Sequence, residues 1–153
     1  MTGDDTATTV EVVLRAARVF AAVTAESIAR SAHGVTLPQL RVLTVASEVG
    51  SLNNADVART LNIHISNASR LCERLVQAGL LNRRDNPADR RQVDLTLTDA
   101  GRALVEGVTE HRREAFTAIL AAMSPSDRAD LCGPLTAFVS SGEQRITGAS
   151  AGP

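Results

Sequence analysis

The chain contains no lysine; all sixteen of its basic residues are arginine. Each basic contact therefore carries a planar guanidinium fork, a shape suited to phosphate and guanine. Tryptophan and tyrosine are absent as well. No apolar run approaches the roughly 20 residues that a membrane-spanning helix needs. The N-terminal Met1-Thr-Gly-Asp-Asp-Thr is acidic and polar, unlike a signal peptide, so a cytoplasmic protein is expected. The two cysteines, Cys72 and Cys132, lack metal-ligand spacing and sit inside apolar helical patterns. They read as structural thiols, with a redox switch as the alternative. There is no phosphate-cradling glycine loop, no His-Glu-x-x-His pair and no Gly-x-Ser-x-Gly elbow. The three histidines, His33, His64 and His111, are scattered without partners at ligand spacing. Together these absences argue against an enzyme, a metal site and a bound cofactor.

With a net charge of -1, this chain of 153 residues would be a poor nucleic-acid binder if its charge were evenly spread. It is not. Between Leu52 and Gln92, seven arginines (Arg59, Arg70, Arg74, Arg83, Arg84, Arg90, Arg91) stand against four acids (Asp56, Glu73, Asp85, Asp89). The rest of the chain holds nine arginines and thirteen acids. Such a local pattern governs docking more than the total does.

Hydrophobic periodicity divides the chain into helices and one hairpin. Residues 9–31 carry an amphipathic stripe through Val10, Val13, Leu14, Ala17, Phe20, Ala21 and Ile28. Leu37-Pro38 restarts a helix to about Val49, which Gly50 stops. Asn53 or Asn54 can cap the next helix, which ends near Leu61-Asn62. A further helix from Ile65 to Ala78 should bury Ala68, Leu71, Cys72 and Leu75. Its opposite side shows Ser66, Asn67, Ser69, Arg70, Glu73, Arg74 and Gln77, a face poor for packing and good for reading a groove. After Gly79 the period changes to that of a strand. Leu80–Arg84 and Gln92–Leu97 read as a hairpin whose seven-residue turn holds Asp89-Arg90-Arg91. Thr98 caps a helix over 99–123, and Ser124-Pro125-Ser126-Asp127 opens the last one, where Gly133-Pro134 should introduce a kink. The residues after Ser140 are rich in Gly and Ser and are expected to be disordered. This order of elements is that of a winged helix-turn-helix, which sets one helix in a DNA groove with a basic loop beside it.

From Leu37 to Gly101 the pattern resembles the MarR family of bacterial winged-helix regulators. The residues that carry the likeness are Leu37-Pro-Gln-Leu-Arg-Val-Leu43, Ala58 to Leu61, Ser69-Arg70-Leu71 to Leu75, Gly79-Leu80-Leu81 to Arg84, Asp89-Arg90-Arg91, and Leu97-Thr98 to Gly101. The expected fold class is mainly α with a small β-hairpin wing. A winged helix-turn-helix domain (35–98) lies between an N-terminal dimerisation helix (1–34) and C-terminal dimerisation helices (99–142), followed by a disordered tail (143–153). The likeness implies a homodimer on a palindromic operator. The apolar stripes of the first and last helices, more than a small winged domain can cover, point to the same dimer. Two departures stand out. His64 replaces the usual Ser or Thr that caps the recognition helix, leaving Ser66 as a substitute cap, and Ile65 occupies a position often polar or Pro.

By motif position, Ser66, Asn67 and Arg70 are placed to reach base edges, with Arg70 forking onto a guanine and Asn67 pairing with an adenine. Ser69 and Arg74 suit phosphates, which fix register without reading sequence. Family analogy sends Arg91 into the minor groove, positioned by Asp89, and puts Arg90 on a phosphate. Arg83 and Arg84 straddle their strand, and Arg84 is taken as the DNA-facing one. The expected partners are double-stranded DNA, a second copy of the chain and a small phenolic or anionic effector. Arg18, His33, Arg41 and His111 are polar candidates for the effector site, and none stands out. The expected function is a ligand-responsive repressor. The alternatives are a thiol-oxidation sensor acting through Cys72, or a winged domain used for protein–protein contact.

Overall fold

The computed structural model describes residues 3–31, 33–85 and 93–149. The elements run α1 (Gly3–Ala29), α2 (Leu37–Val49), α3 (Asn54–Leu61), α4 (Ile65–Gln77), β1 (Leu81–Asp85), β2 (Val93–Leu97), α5 (Asp99–Ala121) and α6 (Pro125–Ala149). Contacts divide the chain into two compact units, residues 1–113 and 114–153.

The first unit holds one apolar core. Leu43, Ala68, Leu75 and Leu80 are fully enclosed, joined by Val57 from α3, Leu81, Leu95 and Leu97 from the strands, and Leu104, Val105 and Val108 from α5. Local chemistry sets the element ends. Thr36 and Gln39 form a capping box at α2, which Gly50 ends at φ 81°. Asn53, rather than Asn54, caps α3, accepting the Ala55 and Asp56 N–H groups at 2.8 and 3.0 Å while Asp56 accepts the Asn53 N–H at 3.0 Å. Asn62 ends α3 in the left-handed region at φ 52°. Gly79 ends α4 with a Schellman turn: its N–H donates to the Val76 carbonyl and the Leu80 N–H donates to the Leu75 carbonyl, both at 2.9 Å. β1 and β2 pair antiparallel with Leu81 opposite Leu97 and Arg83 opposite Leu95. Leu52 adds a one-residue bridge to Leu95, through hydrogen bonds of 3.1 and 2.8 Å. In α1, Val23 and Ser27 are buried, and the Ser27 hydroxyl is satisfied by the Val23 carbonyl at 2.8 Å.

In the second unit Ser124 caps α6, accepting the Asp127 N–H at 3.1 Å and donating to the Asp127 carboxylate at 2.7 Å. No residue from 109 to 145 is buried, and Leu135, Phe138 and Val139 are exposed.

Two expectations are corrected. The stretch from 143 to 149, expected to be disordered, continues α6 to Ala149. Extending an existing helix gains a hydrogen bond for each residue fixed, and Glu143-Gln144-Arg145 are adequate helix formers despite the Gly/Ser-rich surroundings. Helix α6 runs without a break through Gly133 and Pro134, where a kink was expected. Cys132, placed inside an apolar pattern from sequence, is exposed, whereas Cys72 is buried. None of the described side chains of α6 is buried, so Cys132 has no core to enter there.

Candidate nucleic-acid interface

Helices α3 and α4 pack together through a turn at Asn62-Ile63-His64. The turn is tied by the Asn62 N–H to the Arg59 carbonyl at 3.2 Å and the Ile63 N–H to the Ala58 carbonyl at 3.0 Å. Arg59 pairs with Asp56 on the same helix. His64 has extended backbone and is itself the cap of α4. Its Nδ1 accepts the Ser66 N–H at 3.3 Å and lies 2.9 Å from the Ser66 hydroxyl. Ser66 is thus held by His64 and does not replace it. Sequence reasoning missed this because imidazole is an uncommon cap; its two-residue spacing from Ser66 was the available signal.

On α4, Ala68, Cys72 and Leu75 fill the core side, with Leu71 half-buried. Ser66, Arg70, Glu73 and Gln77 recur at helical spacing and are exposed, flanked by exposed Asn67 and Arg74. Ser69 is half-buried and its hydroxyl donates to the Glu73 carboxylate at 3.4 Å. Among the described residues, no ion pair involves Arg70, Arg74, Arg83 or Arg84. No described carboxylate neutralises any of these four guanidinium groups.

The hairpin register separates Arg83 from Arg84. Residues opposite each other share a face, so Arg83 lies with Leu95 while Arg84 lies with Asp94 on the other side. Arg83 also lines a small cavity of about 130 Å³ with Ser69, Glu73 and Gln77 of α4. The strand arginine beside the recognition helix is thus Arg83, and Arg84 is exposed on the opposite face. Asp89, Arg90 and Arg91 lie outside the described residues.

Cys72 is 2% exposed, and burial followed by the neighbouring Glu73 carboxylate pushes its thiol up to about 11. A thiol held protonated at neutral pH is a weak nucleophile.

A larger cleft of about 670 Å³ opens between α1 and α2. Phe20, Ile28 and Leu40 give it apolar walls, and Arg41, Glu48 and Arg112 supply charge. Arg30, His33 and His111 line a separate cavity of about 280 Å³. Of the four polar candidates read from sequence, Arg41 alone faces the larger cleft.

A capped helix–turn–helix backed by an antiparallel wing, with a polar arginine-bearing face on the second helix, defines the winged helix-turn-helix class. The MarR family model matches residues 35–93. The chain is 37% identical to RV1404 of Mycobacterium tuberculosis, whose crystal structure superposes with a TM-score of 0.84 over 93% of this chain and 95% of that one. It is 33% identical to the transcriptional repressor MdtR of Bacillus subtilis over 62% of this chain, a match spanning 61% of the relative's length. It is 28% identical to Bordetella bronchiseptica BpsR, a protein whose DNA binding is regulated by 6-hydroxynicotinic acid, with a TM-score of 0.60 over 84% of this chain and 91% of that one. The chain belongs to the MarR family. Members of this family regulate transcription and are not enzymes.

Proposed function

We propose that this protein is a cytoplasmic transcriptional repressor that binds a palindromic operator as a homodimer and lets go when a small anionic or phenolic effector binds. The observation that carries the reading is the exposed face of α4, where Arg70 and Arg74 have no ion-pair partner among the described residues. Ser66, Asn67 and Arg70 read bases, while Ser69, Arg74, Arg90 and, in place of Arg84, the strand arginine beside α4, Arg83, hold phosphates. Arg91 enters the minor groove with Asp89 behind it. The relative MdtR, a repressor, supports the sign of regulation.

Dimerisation is supported by unsatisfied apolar surface. Val10, Val12, Leu14 and Val19 of α1 are exposed, as are Leu135, Phe138 and Val139 of α6. A second chain removes this surface from water by a self-complementary contact. The effector reading is supported by the Phe20–Arg41–Arg112 cleft, whose apolar walls and two cations, set against the single Glu48 carboxylate, suit an aromatic acid. BpsR responds to a molecule of that kind.

The test is selection of bound fragments from the protein's own genome, followed by binding titrations with Arg70→Ala and Arg91→Ala. An inverted-repeat motif, weakened by both substitutions, is the expected result. Folded variants that grip the site as tightly as the parent, or a monomer at working concentration, would overturn it. The thiol-sensor reading is disfavoured by the burial of Cys72, and the protein-contact reading by the polar character of the α4 face.

A further inference from the structure

We propose that Ile65 reads sequence by docking on the C5-methyl group of a thymine in the operator half-site. The proposal rests on the DNA-binding reading above and adds a base preference to it. Ile65 is the first residue of α4 and is 52% exposed. The packing needs of the helix are met further along, where Ala68, Cys72 and Leu75 fill the core side. Ile65 stands three and seven residues before the buried Ala68 and Cys72, at the exposed N-terminal end of the helix's core side and off the stripe of Ser66 and Arg70. Its neighbours Ser66 and Asn67 are exposed and polar.

An apolar side chain at this place has few matches in a major groove. Every base pair offers donors and acceptors there, and burying those against hydrocarbon costs free energy. Thymine alone adds an apolar group, its methyl, which an aliphatic side chain can cover without stranding a polar atom. The N-terminal residues of a recognition helix are the ones that approach base edges, and Ile65 opens that helix. The contact is also stiff. β-branching restricts the first side-chain torsion, and the turn beneath is fixed by the Asn67 N–H on the His64 carbonyl at 2.9 Å and by the His64 cap on Ser66. Ile65 therefore meets the duplex with little freedom to lose.

The experiment uses the full chain and the duplex recovered by selection. Each thymine of one half-site is replaced in turn by deoxyuridine, which removes the methyl and nothing else. Affinities at fixed salt are measured for the parent, Ile65→Ala and Ile65→Val. At one position the parent should lose about 3- to 6-fold, the effect of uncovering one methyl group. Ile65→Ala should show a comparable loss on the thymine duplex and no further loss with deoxyuridine there, while Ile65→Val keeps most of the sensitivity. The deoxyuridine arm needs the parent alone, so a variant that fails to fold leaves the test intact. Parent affinity unchanged within about twofold at every thymine would overturn the proposal, as would an Ile65→Ala protein as sensitive as the parent. So would an Ile65→Ala protein that dimerises poorly but binds DNA normally once dimeric, because that assigns the residue to contact between copies. A parent that enriches no duplex sinks the DNA-binding reading itself, which keeps the two failures apart.

Discussion

Gly101 packs against Leu80 with no space between them: a Cβ there would overlap the Leu80 carbonyl oxygen and stand 3.1 Å from Leu97 Cδ2. Thr98 completes the joint. Its hydroxyl donates to the Gly79 carbonyl at 2.7 Å and accepts the Gly101 N–H at 2.9 Å, while its own N–H donates to Leu80 at 3.2 Å. One threonine therefore closes the turn after α4 and caps α5, and the glycine lets the two elements touch. The Leu97-Thr98-x-x-Gly101 string is the sequence trace of that joint.

Gly101→Ala should destabilise the protein by about 1–3 kcal/mol, because the added methyl meets backbone that cannot move aside. Gly107 provides the contrast. It sits in the same helix with open space where a Cβ would go, so Gly107→Ala should stabilise by about 0.5–1 kcal/mol. Urea denaturation of both variants checks the pair. Equal effects would show that the Leu80 contact is not what fixes residue 101.

Asn62 holds φ 52° and ψ 51° between α3 and α4. Asn62→Gly should leave stability nearly unchanged, whereas Asn62→Val should cost about 1–2 kcal/mol or more from left-handed strain. Thermal melts of the two variants separate conformational strain from a lost side-chain contact.

Arg70 and Arg74 share the exposed face of α4 but are assigned different work. Arg70→Ala should cost about 1–3 kcal/mol on the selected site and relax its preference at one base pair. Arg74→Ala should weaken all duplexes alike and lower the salt slope by about 1. Titrations at several salt concentrations on specific and scrambled duplexes check both. An Arg74 loss confined to one sequence would reverse the assignment.

Cys72 brings a pH dependence at the alkaline end. Its thiol is raised in the folded protein to about 11 from a starting value of 9.0, so the folded state holds its proton longer than the unfolded chain. The resulting stability is fully present below pH 9.0 and is lost as pH rises toward about 11. Chemical denaturation across that interval should show the decline, and Cys72→Ala should remove this part of it. At neutral pH the thiol should resist alkylation until the protein unfolds, while exposed Cys132 reacts first.

Much of the interface was legible from residues alone. Asn62, Gly79 and Ser124 act within a few residues of themselves, so the element ends they set could be read directly, whereas the α3 cap was narrowed only to Asn53 or Asn54. The core side of α4 followed from spacing for the same reason. The His64 cap was not legible, because an imidazole accepts only when the backbone brings Nδ1 to the Ser66 N–H. The continuation of α6 to Ala149 was hidden by a composition that suggests disorder in isolation.

The order of elements, the polar α4 face and the clustering of arginines between Leu52 and Gln92 were determined by sequence alone, since periodicity and charge are properties of the chain itself. Which strand arginine stands beside α4, why residue 101 is glycine, and which cysteine is buried were decided only in three dimensions. Each depends on a neighbour brought close by strand register or helix packing, and such neighbours are invisible along the chain.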